Sequence, residues 1–283
     1  MNLGAHMSIA GGVDTALERA KSIGCRAAQL FTKNNNRWTG KAIAPEEADR
    51  FHDLAKEFRP EFLISHTAYL INLASPGGDV RKKSLDAMRD ELERAELLRL
   101  AGVVIHPGSH VGQGEEEGIG KIVEALDLVH KETNGFRTFT LLETTAGQGS
   151  NLGYRFEQLA AIREGAKEPE RIGVCLDTCH VFAAGYPVHE RKGFLKTFRD
   201  FDRILGLDTL KAIHLNDSMR PFESRRDRHE HIGKGEIGLE CFSFFVNDRR
   251  FRKIPMILET PKSEDLHEDV ENLAVLRGLR KKK

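Results

Sequence analysis

The 283-residue sequence predicts an α/β protein of the (β/α)8 barrel class, and three observations carry that prediction. Eight short apolar runs alternate with eight stretches of helical periodicity. No long linker interrupts them. Six of the runs end in a residue able to hold a metal: His66, His106, Glu143, Asp177, His214 and Glu259. Continuous apolar runs are what strands buried on both faces look like, as in a parallel sheet covered by helices. An open, doubly wound sheet is the alternative, but it does not ordinarily place ligands on so many strands.

The first two runs are LGAHMS at 3–8 and AAQLFT at 27–32. EFLISH, GVVIHPG, TFTLLETTAG, IGVCLDTCH, LKAIHLND and IPMILETP follow in order, each rich in Val, Ile, Leu or Phe up to its polar residue. That residue leaves the packed interior for the space above the strand ends, where the active sites of parallel barrels sit. Helical patterns fall at 13–23, 45–58, 80–100, 116–131, 156–164, 194–204, 239–246 and 266–279. Pro45 suits a first helical position, which needs no donor, and Glu46 and Glu47 meet the positive end of the dipole. Gly24, Gly102 and Gly206 follow helical patterns where a left-handed cap is expected. A single domain over 1–283 is expected, with the basic RKKK stretch at 280–283 as a solvated, disordered tail.

Forty-three basic side chains balance forty-three acidic ones, so no global positive field advertises nucleic acid. Any attraction to DNA must be local. No segment approaches the roughly 18 uninterrupted apolar residues of a membrane span. MNLGAHMSIAGG has no basic region followed by an apolar stretch. A cytoplasmic monomer with no membrane partner is expected. Cys25, Cys175, Cys179 and Cys241 form no CxxC pair and read as reduced thiols. Cys175 lies inside an apolar run, so a buried inert thiol is favoured over a soft metal ligand.

DTCH places His180 three residues after Asp177, facing a different partner on the same rim, and DRHEH offers Asp227 and His229 to one ion. With the six strand-end residues these make nine candidate ligands, five histidines and four carboxylates. Imidazole and carboxylate without thiolate suit catalytic zinc, manganese or iron better than a structural zinc site. With one carboxylate bridging, nine ligands serve about three divalent ions. Their charge exceeds that of the carboxylates by about two, which favours a phosphate anion. A lone histidine at a strand end is more often a hydrogen-bonded structural residue, but six ligands in series reverse that expectation. His52, His130, His189 and His267 fall among charged helical residues and are expected to be solvated. His6, His110 and His231 lie near the rim, in supporting, DNA-contacting or structural roles.

HTAYLINLASP, HPGSH, ETTAGQGSNLG, CLDTCHVFAAGY, HLNDS, SRRDRHEHIGKGEIG and ILETP, in this order, resemble the signature segments of the endonuclease IV family of apurinic/apyrimidinic endonucleases. The resemblance runs from GAHMSIAGG to the last strand. It implies a TIM barrel that repairs double-stranded DNA at abasic positions with three zinc ions per chain, manganese being an alternative at some sites. His66, His106 and Glu143 would hold the first ion. Glu143 would bridge to a second, completed by Asp177, His214 and Glu259, and His180, Asp227 and His229 would hold the third. The implied reaction hydrolyses the phosphodiester 5′ to the abasic sugar, leaving a 3′-hydroxyl and a 5′-deoxyribose phosphate. Glu143, Asp177 and Glu259 would be the catalytic carboxylates, acting through a hydroxide held by the ions.

The same resemblance implies a bent duplex with the damaged nucleotide turned out, and places Tyr69 and Leu70 in the gap. In FTKNNNRW, either Asn36 or Arg37 takes the place of a further inserted residue. Gly147, Gln148, Gly149, Ser150 and Asn151 form a loop expected to make a DNA-phosphate or rim contact. Three rivals differ in class or substrate. A sugar isomerase on a related barrel needs about two ions and has no use for DRHEH. A photoproduct-specific nuclease would share the whole ligand set, and a non-enzymatic damage binder would not require it.

Overall fold

The computed structural model describes residues 1–60 and 62–281. Glu61, at the start of EFLISH, and Lys282 and Lys283 of the basic tail lie outside the described residues. The strands are β1 (Asn2–Met7), β2 (Ala27–Phe31), β3 (Phe62–His66), β4 (Gly102–Ile105), β5 (Phe139–Glu143), β6 (Ile172–Asp177), β7 (Leu210–His214), β8 (Asp217–Ser218), β9 (His229–Glu230) and β10 (Pro255–Leu258). The helices are α1 (Val13–Ser22), α2 (Pro45–Phe58), α3 (Gly78–Leu97), α4 (Glu115–Glu132), α5 (Phe156–Gly165), α6 (Thr178–Ala184), α7 (Arg191–Leu205), α8 (Leu239–Asn247) and α9 (His267–Gly278). Strands β1 to β7 pair in sequence order, and β10 pairs in parallel with both β7 and β1. The sheet therefore closes, and the (β/α)8 barrel expected from the alternation is the observed fold. Strands β8 and β9 form a separate antiparallel ribbon above the barrel mouth.

Two hydrophobic cores follow from the alternation of side chains along each strand. One lies between the sheet and the helices and is rich in phenylalanine, with Phe194, Phe198, Phe245 and Phe251 packed ring against ring. The other is a plug inside the barrel: Ala27, Ile64, Val104, Leu141, Cys175, Ala212 and Ile257, one residue from each strand except β1. In register with Ala27 and Ile257, β1 carries Gly4. A Cβ there would stand 1.8 Å from the Ala27 carbonyl oxygen.

Helix ends agree with the local chemistry at most positions. Pro45 opens α2 with Glu46 and Glu47 in its first turn, and Glu47 also accepts the Val13 amide at the start of α1 at 3.0 Å. Gly24 and Gly206 adopt positive φ, but Gly206, with ψ 130°, is not in the left-handed helical conformation expected of a cap. Gly102 does not adopt positive φ: Arg99, at φ 57°, makes the left-handed turn after α3, and Gly102 opens β4. Its missing side chain instead leaves room for Leu141, whose Cδ1 would lie 2.8 Å from a Cβ. The short helix α6 was not foreshadowed by periodicity, because it is buried on all sides and shows no polar face. His130 also departs from expectation. It is buried and its Nε2 lies 2.9 Å from Thr140 Oγ1, because this position of α4 faces the sheet. Among the described residues no helix is long and apolar enough to cross a membrane.

Candidate metal centre

Two residues beyond each plug residue, the same face of each strand turns polar. Ala27, Ile64, Val104, Leu141, Cys175, Ala212 and Ile257 lead to Gln29, His66, His106, Glu143, Asp177, His214 and Glu259, and Gly4 leads to His6. The strand period of two thus stacks a polar layer directly on an apolar one. His66, Glu143, Asp177 and His214 are the last residues of their strands, whereas His106 and Glu259 stand one residue beyond. Gln29, His66, Glu143, Asp177 and His214 are buried, so this layer is the floor of the barrel mouth.

Glu143 lies at the centre. Its Oε2 is 3.1 Å from His66 Nε2 and 3.2 Å from His106 Nε2, while its Oε1 is 3.0 Å from His214 Nδ1 and 3.2 Å from His180 Nδ1. His214 Nδ1 is also 3.0 Å from Glu259 Oε2. His180 comes from the first turn of α6, capped by Asp177, whose Oδ1 accepts the His180 amide at 2.8 Å. Asp227 and His229 reach the same point from the chain entering β9: His180 Nε2 is 3.0 Å from Asp227 Oδ2, and His229 Nε2 is 3.3 Å from Asp227 Oδ1. The nine sequence candidates supply three clusters able to hold a metal, namely His66, His106 and Glu143; Glu143, Asp177, His214 and Glu259; and His180, Asp227 and His229, while Asp177 and His229 also form one with Cys179.

The hydrogen bonds test whether these clusters fit cations. His66 Nδ1 meets the Thr67 carbonyl at 2.8 Å, His180 Nδ1 the Thr144 carbonyl at 2.8 Å, and His229 Nδ1 the Glu259 carbonyl at 3.2 Å. A carbonyl only accepts, so each Nδ1 carries a proton, and on the neutral ring each Nε2 presents its lone pair to the mouth. His214 is the mirror case. Gln29 donates Nε2 to Glu259 Oε1 at 2.5 Å, which leaves its Oε1 to accept the His214 Nε2 proton at 2.8 Å. The Nδ1 lone pair then faces Glu143 and Glu259. With neutral rings, four imidazole lone pairs converge on four carboxylates, an arrangement that fits cations. Nε2 of His180 and of His229 is buried and without a hydrogen bond, despite the carboxylate oxygens near each. Zinc-binding histidines are held by the same kind of outward N–H contact.

Burial alone would depress His66, His180 and His214, but neighbouring carboxylates outweigh it and raise all three, His214 with a contribution from Cys175. With no cation present, the carboxylates favour a second proton on these rings, so a cation and protons compete for the same nitrogens. Burial would raise Glu143 and Glu259, yet the facing histidines hold both well below the usual carboxylate range. Burial pushes the Cys175 and Cys179 thiols up to about 12, in keeping with inert neutral sulfurs.

Around this floor the other sequence candidates are spread along the rim. Tyr69 and Leu70 are exposed, with the Tyr69 ring 5.5 Å from that of His66 and 6.3 Å from that of His106. Asn36 and Arg37 are both on the turn after β2, where the Asn36 and Arg37 amides bond back to Asn34. In the loop 147–151, Gly147 and Gly149 take positive φ, and Gln148 Oε1 accepts the Asp227 amide at 3.4 Å. Ser150 and Asn151 are partly occupied in holding that loop to Ser109. His110 and His231 are engaged structurally, with Gly114 and Asn272.

Sequence reasoning missed four features. Gln29 joins His214 to Glu259. Asn216 donates to Asp177 Oδ2 at 2.6 Å while accepting the Glu259 amide at 2.7 Å. Arg225, Arg226 and Arg228 flank Asp227 in the chain, with Arg225 stacked 4.3 Å over Tyr154. A 610 Å³ cavity beside the floor is lined by His6, Phe31, Asn34, Tyr69, Glu259 and Lys262, among others. The signal for Gln29 was available: it is the polar residue two beyond a small one in an apolar run.

The family model described as xylose isomerase-like TIM barrel matches residues 17–279. A protein named probable endonuclease 4 from Citrifermentans bemidjiense is 50% identical over 277 residues, covering 98% of each chain. Its namesake from Chloroflexus aurantiacus is 49% identical over 276 residues, covering 98% of this chain and 97% of its own. The crystal structure of endonuclease IV from Thermus thermophilus superposes with a TM-score of 0.87 at 37% identity, covering 99% and 98% of the two chains.

Proposed function

The chain belongs to the endonuclease IV family, and on that premise we propose that it is a DNA-repair hydrolase. It cleaves the phosphodiester 5′ to an abasic site, leaving a 3′-hydroxyl and a 5′-deoxyribose phosphate. The observation that carries this reading is the convergence of imidazole nitrogens and carboxylates, oriented by outward hydrogen bonds, in three clusters on the barrel floor. His66, His106 and Glu143 hold one zinc, Glu143, Asp177, His214 and Glu259 a second, and His180, Asp227 and His229 a third. When bound, zinc supplies Lewis acidity, polarising phosphoryl oxygens and making water acidic near neutral pH.

The protein's own residues do the rest. Glu143 is shared by two clusters and fixes their separation, while Gln29 and Asn216 hold the carboxylates and His214 in place. Tyr69 and Leu70 stand exposed beside the floor, where an apolar wedge fills the gap left by a missing base and offsets unstacking. The 610 Å³ cavity is within the range that takes a small ligand, and it receives the base-free sugar turned out of the duplex. Arg225, Arg226 and Arg228 supply the local positive field that the neutral net charge conceals.

The deciding experiment pairs metal analysis of the purified protein with mapping of the nick on a duplex carrying one abasic site. About three zinc ions per chain and a single nick on the 5′ side are expected. Preference for a pyrimidine-dimer duplex, ketose formation from an aldose, or retention of abasic DNA without a nick would each replace this reading by one of its rivals.

A further inference from the structure

The basic stretch at the C-terminus has no part in the site described above, and its described residues do not simply trail from the barrel. Lys281 donates its amide to Asn247 Oδ1 at 2.9 Å, and Asn247 Nδ2 donates to the Leu279 carbonyl at 2.9 Å. One side chain at the end of α8 thus clamps the chain after α9 from both sides. Arg280 and Lys281 are held next to Arg249 and Arg252, which precede β10, and together they line a 340 Å³ depression. A second depression of 230 Å³ adjoins it, sharing Met1 and Arg280 and adding Arg26 and Arg277. All these residues flank the N-terminal ends of β1, β2 and β10, opposite the barrel mouth.

The charge here is one-sided. Asp248 is the carboxylate lining these depressions, and Arg250 already engages it at 2.6 Å. Among the described residues, the side chains of Arg249, Arg252, Arg280 and Lys281 are exposed and form no ion pair or hydrogen bond. In a chain of zero net charge, such a cluster of free cations is a local excess. Its three guanidinium forks match phosphate oxygens in pairs. The six residues of β1 span about 20 Å, so phosphates seated at the mouth do not reach this face.

We propose that the N-terminal face of the barrel is a second contact site for the sugar-phosphate backbone, holding an undamaged duplex segment while the mouth faces another. The choice of DNA as occupant rests on charge complementarity and on the proposed activity. A chain holding one segment at its mouth meets a second at high effective concentration, and the enzyme passes between segments without release into solution.

The test uses the zinc-loaded protein and a labelled undamaged duplex, following dissociation after adding increasing unlabelled duplex. Direct transfer makes the wild-type dissociation rate rise with competitor concentration. The variant carrying Arg249→Gln, Arg252→Gln, Arg280→Gln and Lys281→Gln is expected to lose that rise and to show a salt slope shallower by up to about 3.6. Its cleavage of a short abasic duplex should stay within about two-fold of wild type, since none of these residues faces the mouth. A wild-type rate indifferent to competitor overturns the proposal without any variant, as does a variant that transfers like wild type. Displacement by polyglutamate but not by duplex would assign the face to an acidic protein and equally overturn it. Transfer is read without cleavage, so a failed abasic assay does not bear on it.

Discussion

A buried histidine is defined by what each of its two nitrogens meets, and the floor of this barrel assigns them consistently. The outward nitrogen finds a neutral acceptor, and for His214 that acceptor is Gln29, which also donates to Glu259. Gln29→Leu keeps the volume but leaves the His214 N–H and the Glu259 oxygen without partners. Zinc affinity, measured by competition with a chromophoric chelator, should fall about 10- to 100-fold. Unchanged affinity would make these contacts incidental. His130 is the opposite case, a buried histidine remote from the floor. Burial, helped by Arg171, pushes it down to about 4, against about 6.5 unfolded. The unfolded chain therefore binds the proton more readily. The stability His130 contributes is present above pH of about 6.5 and is lost as pH falls towards 4, by about 3 kcal/mol in all. Denaturant midpoints at pH 7, 5.5 and 4 should show the wild type losing its lead over His130→Gln by about that amount. A constant lead would refute the assignment of a neutral buried ring.

At the scale of elements, the strand period of two does most of the organising. It fills the lumen with one apolar residue per strand, leaves only Gly4 on β1, and sets the polar layer two positions on. Gly4→Ala would drive a Cβ into the Ala27 carbonyl and force β1 and β2 apart at the closure of the barrel. Overpacking of this kind costs about 3 kcal/mol, and a urea midpoint near wild type would contradict it. The same period explains what was legible in the sequence. Apolar runs ending in His, Glu or Asp revealed both the barrel and six of its polar residues, because burial on both faces writes itself as an uninterrupted run. Gln29 and His6 completed the layer in the same phase, but a glutamine is no metal ligand and His6 lies mid-run, so spacing alone did not single them out. Helix α6 left no trace because a helix buried all round has no period to show. Gly102 misled for a related reason: a glycine after a helix signals a turn locally, whereas this one serves packing against Leu141 on the neighbouring strand.

At the scale of the whole molecule, the nine candidate ligands join the chain from His66 to Glu259, and they meet only when the barrel is closed. Any cation they hold is therefore bound by the folded state and hardly at all by the unfolded chain, in which the same residues are dispersed. Binding free energy becomes folding free energy. With free zinc at roughly a thousand times the dissociation constant, each independent site adds about 4 kcal/mol. For a chain of this size each kcal/mol moves the melting midpoint by about 2–4 °C. Chelation should lower the midpoint by about 10 °C or more, and restoring zinc should recover it. The size of the fall carries information beyond its sign. The His180, Asp227 and His229 cluster draws on the chain entering β9, so Asp227→Asn should shrink the chelation shift without abolishing it. A scan that is indifferent to chelator would mean that the converging carboxylates and imidazoles are held by protons alone.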